Sequence, residues 1–223
     1  NGGPRTVKEE IRFRVLEKAR ELDYRPNRLA RSLAKGSTYT IGVVPPSVEE
    51  NVFLSPFVRH AWNAIVNEAE VLEHDIMLFA GRNLNSPEEP GVGLLDGRVD
   101  CVVFIAPHRG ARAMWTLHER SFPFTSLASQ EGDPGVHITV DNRQGIREAI
   151  RHLVDLGHRR IAHIAGSEHS PDAESRLHWF RHAMVGEFGL PVPDEYVLQG
   201  AFTRSSGYES ARKLLRAADR PTA

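Results

Sequence analysis

From residue 39 onward the chain alternates short apolar runs with stretches whose apolar residues recur every three or four positions. A short apolar run bounded by turn-forming residues suits a buried strand, and the longer recurrence places apolar side chains on one face of a helix. This pattern predicts strands over 40–44, 76–80, 101–106, 124–127, 161–165 and 196–198, with helices over 57–72, 109–119, 142–156, 173–188 and 205–217. Gly157 and Gly189 stand just past two of these helices, where a left-handed residue commonly ends the turn. Strand and helix in regular alternation imply parallel sheets joined by right-handed helical crossovers. Such sheets bind ligands beyond the carboxyl ends of their strands, which directs attention to 45–57, 106–109, 128–133, 166–176 and 200–206.

The first 36 residues follow a different pattern. Thr6 and Glu9 have capping-box spacing, so a helix is expected to begin there. Val7, Ile11, Val15, Ala19 and Leu22 then form one apolar stripe, with Arg12, Arg14, Lys18 and Arg20 elsewhere on the cylinder. A lone helix cannot bury such a stripe, so this one needs partner helices. Pro26 disfavours helical backbone at the residue before it and ends the segment. Asn27 can cap a second short helix over 28–34, with Gly36 as its terminator. So short a helix is unstable alone in water and should fold only when something offsets its ordering entropy. Leu29 and Leu33 share one of its faces and Arg28, Arg31 and Lys35 supply charge; the residues alone leave open whether the leucines pack on the rest of the chain.

Charge sharpens this division. The formal net charge of -1 conceals ten basic against five acidic side chains in residues 1–36 and 18 against 24 in the remainder. A basic arm on an acidic body suits a nucleic-acid contact segment tethered to another module, the alternative being an arginine-rich solvated helix. With 223 residues, 40% hydrophobic and 26% charged, the chain lies in the ordinary globular range and has room for one large domain or two modest ones. No uncharged apolar run reaches the ~18 residues of a membrane span, and no stretch has the character of a signal peptide, so neither membrane nor secretion is expected. Cys101, the single cysteine, excludes an internal disulfide framework and is compatible with a reducing cytoplasm, the expected location.

The run from Arg12 to Leu33, with Tyr24-Arg25-Pro26-Asn27 followed by Ala30-Arg31-Ser32-Leu33, then Gly36 and a strand beginning Thr40-Ile41-Gly42-Val43-Val44, resembles the end of the DNA-binding domain and the hinge helix of the LacI family of bacterial transcription regulators. Asp23 stands where that family usually has glycine, and aspartate tolerates left-handed backbone better than most side chains. The resemblance implies a helix-turn-helix reading the major groove and paired hinge helices entering the minor groove. Leu33 matches the leucine that the family wedges between base steps, kinking the duplex. Asn27, Arg28, Ala30, Arg31 and Lys35 complete the DNA-binding candidates. By this likeness the first two helices of the reading head lie before residue 1. Hinge helices this short can be stabilised in pairs on a two-fold site, so a homodimer is expected.

The body is similar to the same family's effector-binding core, itself similar to periplasmic sugar-binding proteins. The likeness is carried by Val140-Asp141-Asn142 with Gly145, by the run from His152 to Gly166, by Arg176-Leu177 with Phe180-Arg181-His182-Ala183, and by Phe202-Thr203 with Gly207-Tyr208. It implies an α/β fold of two doubly wound parallel-sheet subdomains, periplasmic-binding-protein-like, preceded by the α-helical remnant of a helix-turn-helix domain. The implied boundaries are 1–23 for that remnant, 24–37 for the hinge, 38–140 for the first subdomain and 141–223 for an incomplete second one. Arg176 falls on the arginine that grips polar atoms of the effector, a task for a planar fork of donors. Phe202 falls on an aromatic that stacks on the ligand, and Phe57 on one from the first subdomain. Ordinary helix-surface or core roles are the alternatives for all three. Ala128 and Ser129 replace the Asp-Arg pair common in the hinge-side loop, and Trp179 replaces a common glycine; Ser129 completes the effector candidates.

Other chemistry is poorly supported. His178 and His182 have the spacing of two metal ligands on one helix face but no third ligand accompanies them, so no metal is expected. Gly91, Gly93 and Gly97 miss the dinucleotide fingerprint, no phosphate loop occurs, and Gly-x-Ser-x-Gly is absent, so neither a cofactor nor an enzyme is expected. The reading is a DNA-binding transcriptional regulator, a repressor by analogy, whose operator affinity is controlled by a small-molecule effector such as a sugar. The alternative is a periplasmic-type sugar-binding protein that does not bind DNA.

Overall fold

The computed structural model describes residues 8–24, 32, 34–46, 55–80, 84, 89–108, 111–130 and 132–223. The chain divides into two units, Asn1–Thr38 and Tyr39–Ala223.

In the first unit, helix α1 spans Glu9–Glu21, with Glu9 and Glu10 in the first turn and Lys18 and Arg20 in the last, the charge order the helix dipole favours. Lys8 holds the N-cap position without a side-chain bond, so the helix starts downstream of the expected capping box; Thr6 lies outside the described residues. At its other end Asp23 N–H donates to the Arg20 carbonyl at 3.1 Å and Tyr24 N–H to the Ala19 carbonyl at 2.8 Å, with Asp23 at φ 45°. This is the left-handed reversal that usually takes glycine, and Asp23 adopts it as its sequence position requires. No residue of α1 is buried, in keeping with a stripe that one helix cannot cover. Ser32, Ala34 and Lys35 are helical, and Gly36 closes the turn at φ 71° with its N–H on the Ser32 carbonyl.

The second unit begins with strand β1 (Thr40–Val44) and continues through helix α2 (Pro56–Val71), β2 (Asp75–Leu78), a single turn at Val92–Leu94, β3 (Cys101–Ile105), α3 (Arg112–Glu119), β4 (Phe124–Leu127) and β5 (Val136–Ile138). These strands form one parallel sheet in the order β2-β1-β3-β4-β5. Successive strand residues point to opposite faces, so each face has its own core. Val43 and Ile105 meet Val58, Trp62 and Ile65 of α2 on one side. Val44, Val102 and Phe104 meet Leu94, Met114 and Leu117 on the other. The sheet is therefore covered on both faces, as a doubly wound parallel sheet must be.

From β5 the chain enters α4 (Asn142–Asp155), β6 (His163–Ile164), α5 (Pro171–Arg181), a wider π-type turn at His182–Glu187, β7 (Val197–Leu198) and α6 (Arg204–Arg216). β6 and β7 pair in parallel in a second sheet. Ile150, Ile161, Phe180, Ala183 and Met184 form the core beneath it. Gly157 ends α4 at φ 91°, the terminating role assigned to it from sequence, and Gly189 at φ 62° follows the π-type turn.

Three elements differ from expectation. β5 was not anticipated: 136–140 alternates apolar and polar residues as a strand does, but the run is short, and in the fold Val136, His137 and Ile138 are all exposed. The apolar run at 161–165 pairs as a strand only at His163–Ile164, while the Ala162 amide is taken by the carbonyl of Ala223. The helix expected over 173–188 changes winding at His182, an insertion that apolar spacing does not register.

Candidate ligand-binding cleft

Between the carboxyl end of β4, the passage from β5 into α4, and one face of α5 lies a cleft of about 520 Å³. Its walls come from three places in the sequence: Ser129 and Gln130, the stretch 139–143, and the face of α5 that carries Asp172, Ser175, His178 and Trp179.

Each wall is fixed by local bonding. After β4 the backbone turns through Ala128, a non-glycine residue at φ 56°, its N–H continuing the sheet onto the Ile138 carbonyl at 2.9 Å. Ser129 follows, only 5% exposed, and its hydroxyl accepts from the buried Ser126 hydroxyl at 2.9 Å. Gln130 N–H donates to the Asp133 carboxylate at 2.9 Å and closes the loop. On the opposite side Asp141 caps α4 by accepting from Gln144 N–H at 2.8 Å, and Ser170 caps α5 by accepting from Ala173 N–H. Left-handed non-glycine residues also follow β3 at Ala106 (φ 45°) and β7 at Phe202 (φ 58°). Such conformations cost of order 1–3 kcal/mol each; Ala106 and Ala128 place two of them directly after strands, whereas Asp23, Glu73 and Ser121 mark helix ends.

The start of α4 is tied to α5 by a closed polar triad. Asn142 Oδ1 accepts from Arg176 Nε at 2.9 Å, Asn142 Nδ2 donates to Asp172 Oδ1 at 2.7 Å, and an Arg176 terminal nitrogen stands 3.4 Å from Asp172 Oδ2. One amide thus satisfies both charged partners and fixes the plane of the guanidinium. A second rung places the Arg143 guanidinium 5.0 Å over the Trp179 ring, whose neighbour His182 stacks at 5.3 Å. A third joins Arg147 to Glu187, and that contact holds the Glu187 carboxyl below its usual range. Behind the triad His163 stacks on Phe180 at 4.9 Å. Burial lowers its proton affinity, and the positive charge of Arg176 lowers it further.

The periplasmic binding protein-like domain model matches residues 150–223. Catabolite control protein A of Priestia megaterium is 32% identical over 100% of this chain and 66% of its own length. The HTH-type transcriptional regulator AglR of Rhizobium meliloti (strain 1021) is 34% identical over 100% of the chain and 62% of its own length. The solved structure of a transcriptional regulator CelR-cellobiose complex superposes with a TM-score of 0.70 at 28% identity, covering 97% of this chain and 64% of that one. The chain belongs to the LacI family of transcriptional regulators. It spans about two thirds of the length of the relatives it matches.

Against the LacI-family reading, the effector candidates separate. Ser129 lines the cleft directly. Arg176 is reached through Asn142 and Asp172, which do line it; its side chain is 39% exposed, and two of its nitrogens are already engaged by protein groups. Phe57, in the first turn of α2, and Phe202, just before α6, are both exposed and stand outside that lining. Of the DNA-binding candidates, Lys35 is exposed on its helix, whereas Asn27, Arg28, Ala30, Arg31 and Leu33 lie outside the described residues. His178 meets Trp179 edge-on at 5.0 Å, so the two histidines flank one indole. Among the described residues no helix is long and apolar enough to cross a membrane.

Sequence reasoning missed Asn142 and Asp172 as a unit. Asp172 and Arg176 stand at helical i, i+4 spacing, so that pair was legible, but Asn142 is 34 positions before Arg176 and reaches it only through the packing of α4 on α5.

Proposed function

We propose that this chain is the hinge and effector-binding portion of a LacI-family regulator that binds operator DNA as a homodimer and changes its operator affinity when a small molecule occupies the cleft. The divisions proposed are 1–23, 24–37, 38–140 and 141–223, and the effector class proposed is a sugar or related metabolite. The observation that carries this reading is that the similarity to transcriptional regulators runs through the basic arm as well as the two-sheet unit, covering 100% of the chain. CelR, one of the similar proteins, is described in complex with cellobiose.

In this account the cleft is walled by two parts of the core, the turn at Ser129 and Gln130 after β4 and the α4–α5 pair that the triad holds together, joined by the passage at 139–141. A ligand contacting Ser129 on one side and α5 on the other favours the arrangement that brings them together. Any such preference shifts operator affinity by the same coupling free energy, typically about 1–3 kcal/mol in either direction. Asn142 and Asp172 hold the Arg176 guanidinium in one plane, which pre-organises its donors for an oxygen-rich ligand.

Leu33→Ala in the intact regulator tests the arm. A minor-groove wedge predicts weaker operator binding and a smaller induced bend, with melting temperature and effector affinity almost unchanged. A stability loss of about 2–5 kcal/mol with an unchanged bend would show instead that Leu33 is a packed core residue.

A further inference from the structure

Phe202 is an unusual aromatic residue: its backbone is left-handed at φ 58°, yet its side chain remains 53% exposed. Neither its own conformational preference nor burial accounts for its position, so neighbouring groups must impose it. Two do so. The first is Gly166, just past β6, against whose Cα the edge of the Phe202 ring rests; a methyl group there would collide with the ring's Cζ, Cε1 and Cε2. The Gly166 carbonyl accepts from the side-chain amide of Gln199, which anchors this seat to the segment leading into Phe202. The second is Ser206. Its hydroxyl accepts from Ala201 N–H at 3.1 Å and donates to the Thr203 carbonyl at 3.1 Å, so it straddles the residue between them. Thr203 Oγ1 in turn accepts from Ser206 N–H at 3.1 Å, capping α6 and closing the loop.

We infer that Gly166 and Ser206 are positioning residues that hold Phe202 as a pre-formed stacking platform for the effector's ring. This rests on the assignment of Phe202 as an effector contact, which the family likeness carries and the lining of the cleft does not include. Gly166 supplies a flat seat for one edge of the ring, Ser206 fixes the backbone reversal that presents it, and the exposed surface is left for an apolar sugar face. A platform held this way orders no side chain on binding, which is the advantage of pre-organisation. The three atoms nearest to a side chain at 166 are the far end of the phenyl group, so a movement of the ring would relieve the contact without a shift of backbone.

The test places 2-fluorophenylalanine, whose fluorine sits away from the Cζ edge that meets Gly166, at position 202 of the full chain and records its fluorine resonance with and without Ser206→Ala or Gly166→Ala. The parent should give one narrow line. Each variant should shift and broaden it while melting temperature changes little, a combination that a general structural role would not produce. Unchanged lines in both variants would overturn the inference, as would a line in the parent already broadened by exchange. Gly166→Ala failing to fold would leave Ser206→Ala to decide. Titrating the parent with neutral mono- and disaccharides, cellobiose among them, tests the underlying assignment separately. A sugar acting through the platform should shift the line and lose about three- to tenfold in affinity in both variants. Sugars that bind without perturbing the line would remove Phe202 from the effector site while leaving the two positioning residues in place.

Discussion

Replacing Asn142 with alanine isolates the contact on which the geometry of the cleft wall depends. Asn142 is the first residue of α4 and its cap, Asp141, is untouched by the change, so the helix start should survive. What is lost is a bond to the Arg176 guanidinium at 2.9 Å and one to the Asp172 carboxylate at 2.7 Å. A bond to a buried charge contributes about 1.5–3 kcal/mol. Arg176 is 39% exposed and water can replace part of its bond, reducing that share to about 0.5–1 kcal/mol, whereas Asp172 at 16% keeps about 1.5. The sum is about 2–2.5 kcal/mol, which for an ordinary urea dependence lowers the unfolding midpoint by about 1 M. A double-mutant cycle with Asp172→Ala should give a coupling of about 1 kcal/mol or more, because the triad acts as a unit. A midpoint within about 0.2 M of the parent, or strictly additive losses in the cycle, would refute the claim that this triad fixes the relation of α4 to α5.

Glu73 ends α2 in a left-handed conformation at φ 56° with both reversal bonds formed, so Glu73→Gly should raise stability by about 0.5–1 kcal/mol in chemical denaturation; a loss would mean that the side chain contributes more than the strain costs. His163 holds its proton less tightly in the folded protein than in the unfolded chain. As pH falls through the ordinary histidine value of about 6.5 the unfolded chain therefore binds a proton that the native state refuses, and stability declines. The loss of melting temperature between pH 7.5 and 5 should be smaller in His163→Phe than in the parent, and equal losses would contradict this. Arg176→Ala should weaken binding of any sugar that raises the melting temperature by about 1.5–3 kcal/mol, and an unchanged affinity with the fold intact would remove Arg176 from the site.

The parts of this molecule legible in its sequence are those decided locally. The apolar runs at 40–44 and 101–106 became strands because each is bounded by turns and packed on both faces, and Asp23 took left-handed backbone because the helix before it ends there. What escaped depends on partners distant in the chain. β5 exists because β4 offers it a hydrogen-bonded edge, not because Val136 or Ile138 finds a core. The triad requires Asn142 to meet two residues at the start of α5, and Gly166 gains its role from a ring 36 positions later. Trp179, noted in sequence as a departure from the family, becomes intelligible as the ring on which Arg143 and His182 pack from α4 and the π-type turn. Period and propensity carry no information about such meetings.

The most direct test of the central claim is selection of random duplex DNA by the intact regulator, repeated in the presence of a sugar that raises its melting temperature. The account predicts enrichment of one two-fold symmetric site with a bendable central step, and a change in its affinity by about five- to 150-fold when the sugar is added. Sugar binding with no enriched DNA site, or an enriched site whose affinity the sugar leaves unchanged, would contradict it.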